Sequence, residues 1–371
     1  MQRVLILGGT GGIGRAVAAD ILQHVPAQMT LAGRRQHPQA PLPEGTTYQA
    51  IDVTSADITE QIKAYDLVVH CAGPFRQRDH RLLTACIEQQ IPYVDVADSP
   101  DYVQTALTYA DRAIAKGVTG ILSTGVFPGI SNSLVRQGIE QLDQAETVHL
   151  SYLVAGSGGA GLTVMRTTFV ELQTPFMAKV EGEWVEIAPY CDREVLPFPA
   201  PYNVGAGVYW YNTVEAMVLP RTFPQLKTCV TKFGSLPDYY NRLTQLMTRL
   251  PDGWLQHPAM IEFLAQVSYR MTQVTDRFTG QDIALRLEIK GTKNNQPTTY
   301  LATFTHPDTA KVAGIGTGSV VEQVLAGKLH QPGIHTVEQV LDTPTFQNIF
   351  QQRGLTLQAR FPSIASEIPD A

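Results

Sequence analysis

The sequence lacks the features that mark secreted, membrane-spanning and metal-binding proteins. Its 371 residues include four cysteines, with no CxxC pair and no His/Cys spacing of a zinc site. The four are Cys71, Cys86, Cys191 and Cys229. We therefore expect free thiols in a reducing compartment and no bound metal. No apolar run approaches the ~18–20 residues that cross a bilayer, and the N-terminus has neither the basic flank nor the cleavage site of a signal peptide. These absences predict a soluble, cytoplasmic protein with no integral membrane segment.

An excess of positive charge is also absent. The chain has 28 Lys and Arg against 34 Asp and Glu, a formal net charge of −6 at pH 7. Nucleic-acid-binding proteins usually carry a basic patch or stripe, so we expect no nucleic-acid partner. The length is sufficient for two domains.

Glycine, by contrast, is concentrated near the N-terminus. Val4–Leu7 is a short apolar run typical of a strand, and a helical pattern starts at Arg15. Between them lie Gly8, Gly9, Thr10, Gly11, Gly12, Ile13 and Gly14. A glycine turn between a strand and a helix lets backbone N–H groups approach a pyrophosphate at the helix N-terminus. The pattern predicts a bound dinucleotide, and the alternative is a glycine turn without a ligand.

The first third of the chain continues as alternating strands and helices. We predict strands at Gln28–Ala32, Thr46–Ile51, Asp66–Cys71, Pro92–Val96 and Thr119–Ser123. We predict helices at Arg15–Gln23, Asp57–Ala64, Asp79–Gln90 and Tyr102–Lys116. This alternation indicates an α/β domain, a Rossmann-type parallel sheet with helices on both faces, over residues 1–134.

The rhythm changes after about Thr147, where the strands look antiparallel. Ala178–Ile187 is typical of a hairpin, and Asp282–Lys290 alternates apolar and polar residues in the pattern of a sheet with one covered face. Thr298–Thr305 is predicted to be a strand that pairs with it across a polar turn at Gly291–Pro297. We predict further helices at Asp238–Arg249, Pro258–Arg277 and Ser319–Ala326. The domain prediction is an α+β substrate and dimerisation domain over 135–310, with C-terminal helices over 311–371 that pack back on the first domain.

Two arginines follow the second predicted strand. A cofactor with a free ribose 2′-hydroxyl usually meets an acid at this place, whereas a 2′-phosphate meets arginine. The chain offers Arg34 and Arg35 and no acid nearby, which favours NADP over NAD. The alternative is two solvated surface arginines.

Further strand ends should line the cofactor crevice, because ligands bind at the carboxyl ends of strands in open α/β sheets. Asp52 and Val53 end the third strand, where side chains commonly flank the adenine. Ala72, Gly73 and Pro74 end the fourth, near the middle of the cofactor. No tyrosine is followed by lysine four residues later, so the Tyr-x-x-x-Lys chemistry of short-chain dehydrogenases is disfavoured.

The chain resembles the saccharopine dehydrogenase-like, NADP-binding oxidoreductases. The resemblance is carried by Gly8–Gly14, Ala72–Phe75, Tyr93–Asp95 and Gly125–Gly129, and downstream by Gly158–Thr163 and Pro332–Ile334. It is strong over roughly the first 135 residues. It implies a Rossmann domain followed by an α+β domain that holds the substrate and often makes a homodimer. Known members reduce imines formed between an amine and an aldehyde, or oxidise the reverse adducts.

The chain also departs from the family pattern. Saccharopine reductases carry a longer inserted domain and a Gly-Gly-Leu-Pro loop after the seventh strand, whereas here Tyr152 is followed by Leu-Val-Ala-Gly-Ser-Gly-Gly-Ala-Gly. We therefore expect an NADP-dependent oxidoreductase that transfers hydride at a C=N or C=O carbon of a small molecule other than saccharopine. The alternatives are a non-catalytic NADP sensor of the NmrA-like kind and a reductase of a lipid or isoprenoid.

Three side chains are candidates for the chemistry. Asp98 follows the fifth strand and could donate a proton, and its alternative role is to cap the helix near Tyr102. Tyr152 on the seventh strand is a second candidate or a core tyrosine. Arg166 could hold a substrate carboxylate bidentately, or it forms a structural salt bridge. The aromatic stretch Tyr202–Tyr211 could wall a substrate pocket, although strand packing or a dimer contact is the more common explanation.

Overall fold

The structure is a computed structural model that describes residues 1–38, 40–158, 161–172, 174–200, 202, 205–248 and 257–362. Its contacts divide the chain into two compact units. The first comprises Met1–Ser133 and Ala310–Arg353, and the second comprises Leu134–Thr309 and residues 354–362. The four cysteines are free thiols. Within the described residues, no helix is both long and apolar enough to cross a membrane.

The described strands are numbered in chain order. They are β1 Gln2–Leu7, β2 Ala27–Gly33, β3 Thr46–Ala50, β4 Leu67–His70, β5 Tyr93–Asp95, β6 Thr119–Leu122, β7 Gln144–Ala155, β8 Phe176–Val180, β9 Glu183–Ile187, β10 Glu194–Pro197, β11 Gly205–Trp210, β12 Thr228–Leu236, β13 Ile283–Lys293, β14 Gln296–His306, β15 Gly333–Thr336 and β16 Leu357–Arg360.

The described α-helices are numbered in the same way. They are α1 Gly12–His24, α2 Ile58–Ile62, α3 Arg81–Glu88, α4 Pro100–Leu107, α5 Ala110–Lys116, α6 Ser131–Ile139, α7 Leu162–Glu171, α8 Val214–Thr222, α9 Tyr239–Met247, α10 Pro258–Thr279, α11 Thr309–Leu325, α12 Val337–Val340 and α13 Thr343–Gln352.

The first unit is built on a parallel sheet in the order β15-β6-β5-β4-β1-β2-β3. The apolar run Val4–Leu7 of β1 is fully buried near its centre, as is Leu67–Val69 of β4. Strands covered on both faces have continuous apolar runs of this kind. The predicted α/β fold with a Rossmann-type parallel sheet is confirmed, and β15 adds a strand where the sequence predicts helices alone.

The second unit contains a mixed, mostly antiparallel sheet in the order β10-β11-β12-β7-β13-β14-β16. β7 and β12 run parallel, and the other neighbours are antiparallel. β8 and β9 form the predicted hairpin. Both faces of β13 are covered near its start, because Leu285 is buried on one face and Ala284 packs against Phe198 and Leu153 on the other. The expectation of one covered face is therefore wrong for this strand.

Some elements differ from the sequence expectation by more than a few terminal residues. The single helix predicted at Tyr102–Lys116 is two, because Thr108 donates its hydroxyl to the carbonyl of Thr105 and Tyr109 leaves the helical region with ψ of 4°. The turn after β13 is shorter than predicted. It consists of Asn294 and Asn295, both left-handed with φ of 51° and 59°, a combination that suits a two-residue hairpin.

The helix predicted to begin at Ser319 begins ten residues earlier, as α11. Glycines 314, 316 and 318 interrupt the apolar pattern that predicts a helix. The packing of α11 nevertheless requires them. A Cβ atom at Gly314 would lie 2.5 Å from the carbonyl carbon of Ala16, so only glycine allows α11 to approach α1 this closely.

Candidate functional site

The glycine loop after β1 requires glycine at positions where backbone atoms of the protein leave no room for a Cβ atom. Gly8 has a left-handed φ of +77°, and a Cβ atom there would lie 2.6 Å from the carbonyl carbon of Cys71. A Cβ atom at Gly14 would lie 2.3 Å from the carbonyl oxygen of Gly8. The backbone N–H of Gly8 donates to the carbonyl of Ala32 at 2.9 Å, which anchors the loop to β2. These contacts fix a tight turn between β1 and α1.

The start of α1 is open to an anion. Gly11 occupies the N-cap position and supplies no side-chain cap, and the first turn contains no acidic residue. A Cβ atom at Gly12 would meet nothing within 4 Å, so space adjoins the helix start. The positive end of the helix dipole and the N–H groups of its first turn favour negative charge at such a place.

A cleft of about 480 Å³ extends from this loop along the carboxyl ends of β1, β2, β3 and β4. Gly9 and Gly14 are buried beneath it, and Ile13 is 39% exposed. The cleft is lined by loop residues, basic side chains and strand ends: Gly8, Thr10, Gly11, Gly33, Arg34, Arg35, His37, Pro38, Ala40, Tyr48, Ile51, Val53, Cys71, Ala72, Gly73 and Arg78. Of the predicted cofactor residues, the lining contains Gly8, Thr10, Gly11, Arg34, Arg35, Val53, Ala72 and Gly73, and it does not contain Gly9, Gly12, Ile13, Gly14, Asp52 or Pro74. No acidic residue appears among these described lining residues.

Three arginines give the cleft a positive charge. Arg34 and Arg35 are exposed, whereas Arg78 is partly buried and is fixed by hydrogen bonds to the strand-end backbone. Burial, and then the nearby charge of Arg34, lowers the pKa of Arg78 from its usual value. Arg34 is therefore near enough to Arg78 for both positive charges to act on an anion in the cleft.

Asp52 lies close to these cations but is engaged locally. Its Oδ1 accepts hydrogen bonds from the backbone N–H and the hydroxyl of Thr54 at 2.9 and 2.8 Å. These bonds, and to a smaller extent the charges of Arg34 and Arg78, hold the pKa of Asp52 below its usual value. Asp52 therefore stays ionised, while the neighbouring Val53 is buried and lines the cleft.

The β4 end is shaped by a residue that the sequence reasoning missed. Arg78 donates from Nε to the carbonyl of Ala72 and from Nη2 to the carbonyl of Gly73, both at 2.8 Å. Pro74 precedes a single 3₁₀ turn at Phe75–Gln77 that brings Arg78 back over the strand end. The only sequence signal was the run of basic and polar residues after Pro74.

Tyr48 is a second missed residue. Its hydroxyl donates toward the carbonyl of Arg35 at 2.6 Å and lies 3.2 Å from the carbonyl of Gly33. Tyr48 thereby holds the turn that presents Arg34 and Arg35. A lone tyrosine on a predicted strand carries no signal for this function, because the contact depends on the pairing of β2 with β3.

Buried polar groups cluster at the ends of β4 and β5. Asp95 is fully buried, and its Oδ1 accepts from the backbone N–H groups of Ala97 and Ser123 at 3.0 and 2.7 Å. Burial raises the pKa of Asp95 to about 7. The Tyr93 hydroxyl lies 2.8 Å from Nδ1 of His70, whose pKa burial lowers to about 3. Near pH 7 Asp95 is therefore close to the midpoint of its titration, and His70 is neutral.

Asp98 lies on the loop after β5. The residue is exposed, but surrounding protein limits the hydration of its carboxylate and raises its pKa. The helix that follows begins at Pro100 with Ser99 at the N-cap. The alternative role of Asp98 as the N-cap of that helix is therefore wrong, and its role as a proton donor stays a prediction.

In the second unit, Tyr152 and Arg166 both contact carboxylates. The buried Tyr152 hydroxyl donates to Glu215 Oε1, and Glu215 is itself fully buried. Arg166 binds Glu262 through Nε and Nη2 at 2.6 and 2.9 Å, and 41% of the Arg166 side chain is exposed. Arg166 is thus a partly exposed cation paired bidentately with Glu262, as in its alternative role of a structural salt bridge. Its role in holding a substrate stays a prediction.

The glycine-rich loop and the aromatic stretch of this unit are described in part. Ser157 is held by Asp276 through its backbone N–H and its hydroxyl, both at 2.7 Å, whereas Gly159 and Ala160 lie outside the described residues. In the aromatic stretch, Asn203 and Val204 also lie outside them. Tyr209 is fully buried and stacks on Tyr190 with ring centroids 4.5 Å apart, which favours core packing for this part of the stretch.

The parallel sheet, the glycine turn and the open helix start define a Rossmann-type domain of the dinucleotide-binding class. Residues 4–121 match the family model described as "Saccharopine dehydrogenase NADP binding domain". The resemblance predicted from the sequence is confirmed over this region, because residues 4–121 are similar to the NADP-binding domain of saccharopine dehydrogenases.

Curated relatives match part of the chain. A "Saccharopine dehydrogenase-like oxidoreductase" of Rattus norvegicus is 32% identical over 111 residues, which is 29% of this chain and 26% of the relative. A "Carboxynorspermidine synthase" of Vibrio alginolyticus is 23% identical over 230 residues, 53% of this chain and 54% of the relative. The matches thus span between a quarter and about half of these relatives.

Solved structures share the fold over nearly the whole chain. Saccharopine dehydrogenase (L-Glu forming) of Saccharomyces cerevisiae superposes with a TM-score of 0.70 at 12% identity, covering 98% of this chain and 100% of that one. The DAP dehydrogenase of C. glutamicum gives a TM-score of 0.53 at 14% identity, covering 95% and 98%. At such identities the likeness concerns the fold alone.

Proposed function

We propose that the protein is an NADP(H)-dependent oxidoreductase that transfers hydride to or from a C=N or C=O carbon of a small molecule. One observation carries the cofactor assignment. Arg34, Arg35 and Arg78 converge on a cleft whose described lining contains no carboxylate. A ribose 2′-phosphate needs such cations, whereas a free 2′-hydroxyl would be met by an acid.

The cleft offers a place for each part of the cofactor. The glycine loop and the start of α1 would bind the pyrophosphate, and Arg34 and Arg35 would bind the 2′-phosphate. Ile51 and Val53 would flank the adenine, and Ala72 and Gly73 would adjoin the middle of the molecule. When bound, NADPH supplies the hydride, and the protein supplies orientation and a proton. We assign the proton to Asp98, whose raised pKa suits a donor.

The substrate class is inferred from the family. The names of the relatives and neighbours refer to saccharopine, carboxynorspermidine and DAP. Family members act on an amine–aldehyde imine or its reduced adduct, which supports a C=N carbon in an amino-acid-like molecule. The loop after Tyr152 differs from that of saccharopine reductases, so saccharopine itself is not proposed. We also infer a homodimer, which light scattering after size-exclusion chromatography tests.

A non-catalytic NADP sensor is the second candidate. It is favoured by the engagement of Tyr152 with Glu215 and of Arg166 with Glu262, because neither side chain is then available to a substrate without breaking a bond. A sensor would use the cleft of the first unit and need no proton donor.

Transfer of deuterium separates the two candidates. Purified protein is incubated with NADPH deuterated at the reactive C4 position and with pools of amines and aldehydes, and products are analysed by mass spectrometry. The proposal predicts a product with one deuterium on the former imine carbon, and no such product with Gly11→Val. Tight NADPH binding without deuterium transfer from any pool would identify a sensor.

A further inference from the structure

A second cavity lies wholly within the second unit and has no part in the function proposed above. It measures about 320 Å³. Its polar lining comprises Arg286, Thr303, Gln358 and Arg360, and its apolar lining includes Pro197–Pro199. The described lining contains no acidic residue.

The pairing of three strands explains why these polar side chains meet. Arg286 of β13 lies opposite Thr303 of β14, and Thr303 lies opposite Gln358 of β16. Two residues further along each strand, Leu301 of β14 lies opposite Arg360 of β16. Directly opposed residues, and residues two apart on one strand, share a face of the sheet. The cavity floor is therefore a polar patch built from neighbouring cross-strand rows.

Arg286 is the buried cation of this patch. The residue is 8% exposed, and its Nη2 donates to Glu288 Oε2 at 2.7 Å. Its Nη1 is buried and meets no hydrogen-bond acceptor among the described residues. Glu288 also lies 3.2 Å from Nζ of Lys290, so one carboxylate serves two cations. The Arg286 side chain lines the cavity, and its charge is shared with a carboxylate that also serves Lys290, so the cavity favours an oxyanion.

We propose that this cavity binds a small organic oxyanion, a carboxylate or a phosphate, attached to an apolar body. Arg286 and the exposed Arg360 neutralise the charge, and the hydroxyl of Thr303 and the amide of Gln358 complete the hydrogen bonds. The apolar body packs against Pro197, Phe198 and Pro199. At the ~30 Å³ that one water occupies, the cavity holds roughly ten non-hydrogen atoms.

Binding of matched probes to the full-length protein tests this proposal. Benzoate, phenyl phosphate and the uncharged benzamide are titrated by ligand-observed NMR. We expect benzoate or phenyl phosphate to bind and benzamide to bind at least tenfold more weakly. Arg360→Gln changes an exposed side chain and leaves Arg286 paired with Glu288. It should lower the affinity for the anion about tenfold. Thr303→Val, a change of nearly equal volume, should also weaken it.

Two control variants keep the result specific. Arg34→Gln removes a cation of the cleft in the first unit, and Arg242→Gln removes an arginine of α9 whose side chain is 73% exposed. Both should bind the anion as the wild type does. The proposal is overturned if benzamide binds as well as benzoate, or if neither anion binds. It is also overturned if Arg360→Gln and Thr303→Val leave binding unchanged, or if Arg34→Gln abolishes it.

Discussion

The Nη2 atom of Arg78 lies 2.8 Å from the carbonyl oxygen of Gly73 and donates a hydrogen bond to it. This bond ties a cation of the cofactor cleft to the backbone that ends β4. The same side chain therefore contributes charge to the cleft and fixes the shape of its wall. Its effect on cofactor binding should exceed that of an equally charged surface residue.

Replacement of Arg78 tests this double role. Arg78→Met keeps most of the apolar stem but loses the charge and both carbonyl contacts, so we expect the Kd for NADPH to rise about tenfold or more. Arg78→Lys should recover only part of the loss, because lysine cannot reproduce the planar fork. The matched control is Arg112→Met, an exposed arginine paired with Glu88. Equal affinity in Arg78→Met and Arg112→Met would contradict the assignment.

Substitutions of two glycines in the loop should impair the protein in different ways. A Cβ atom at Gly8 collides with backbone at 2.6 Å and meets a left-handed φ, so Gly8→Ala should lower the free energy of unfolding by about 3 kcal/mol or more. A Cβ atom at Gly11 lies 3.3 Å from one carbonyl oxygen and borders the cleft. Gly11→Val should therefore stay folded and lose NADPH binding. Urea unfolding and cofactor titration of both variants measure the difference. Normal NADPH affinity in Gly11→Val would show that the loop is misassigned.

The buried Asp95 predicts a pH dependence of stability. Its folded pKa of about 7 lies above the unfolded value of 3.8, so the native state retains a proton that the unfolded chain has released. The contribution of this group to stability is fully present below about pH 4 and is lost as the pH rises through 7, on the order of 1–4 kcal/mol.

Asp95→Asn isolates this contribution. The amide cannot ionise and retains an oxygen for the N–H groups of Ala97 and Ser123. The free energy of unfolding of the wild type, relative to Asp95→Asn, should fall between pH 4 and pH 8. A difference that stays constant over this range, measured by urea denaturation, would show that Asp95 does not retain its proton.

Arg166 tests the proposed recruitment of an anionic substrate. Once a substrate is known, Arg166→Ala should lower kcat/KM by about 30-fold or more if the guanidinium leaves Glu262 to bind the substrate. Arg166→Lys should show a smaller loss. Glu262→Gln releases the arginine and should leave KM unchanged or lower it. Wild-type kcat/KM in Arg166→Ala would make the pair with Glu262 structural.

The sequence was most informative where backbone geometry alone restricts which residue types can occur. Val4–Leu7 and the glycines after it predict a strand and a tight turn, because burial on both faces and close backbone approach limit the residue types there. Arg34 was predictable as a neighbour of the cleft from its distance along the chain. These features depend on local geometry and on the position of strand ends in a parallel sheet.

Other features depend on contacts between distant segments and had no local signal. Arg78 returns to the β4 end through a 3₁₀ turn, and Tyr48 reaches Arg35 because β3 pairs with β2. The partner of Arg166 lies 96 residues away in α10. Glycines 314, 316 and 318 reduce the helical signal of α11, although their absence of side chains is what lets that helix pack.

A calorimetric titration with NADPH and NADH tests the central claim most directly. Wild-type protein should bind NADPH more tightly than NADH, because only NADPH carries the 2′-phosphate that we propose Arg34 and Arg35 bind. Arg34→Ala should lower the affinity for NADPH about tenfold and should leave the affinity for NADH unchanged. The loss is smaller than that of a buried charge-assisted contact because Arg34 is exposed. Equal affinities of the wild type for the two cofactors, or equal weakening of both in Arg34→Ala, would contradict the account.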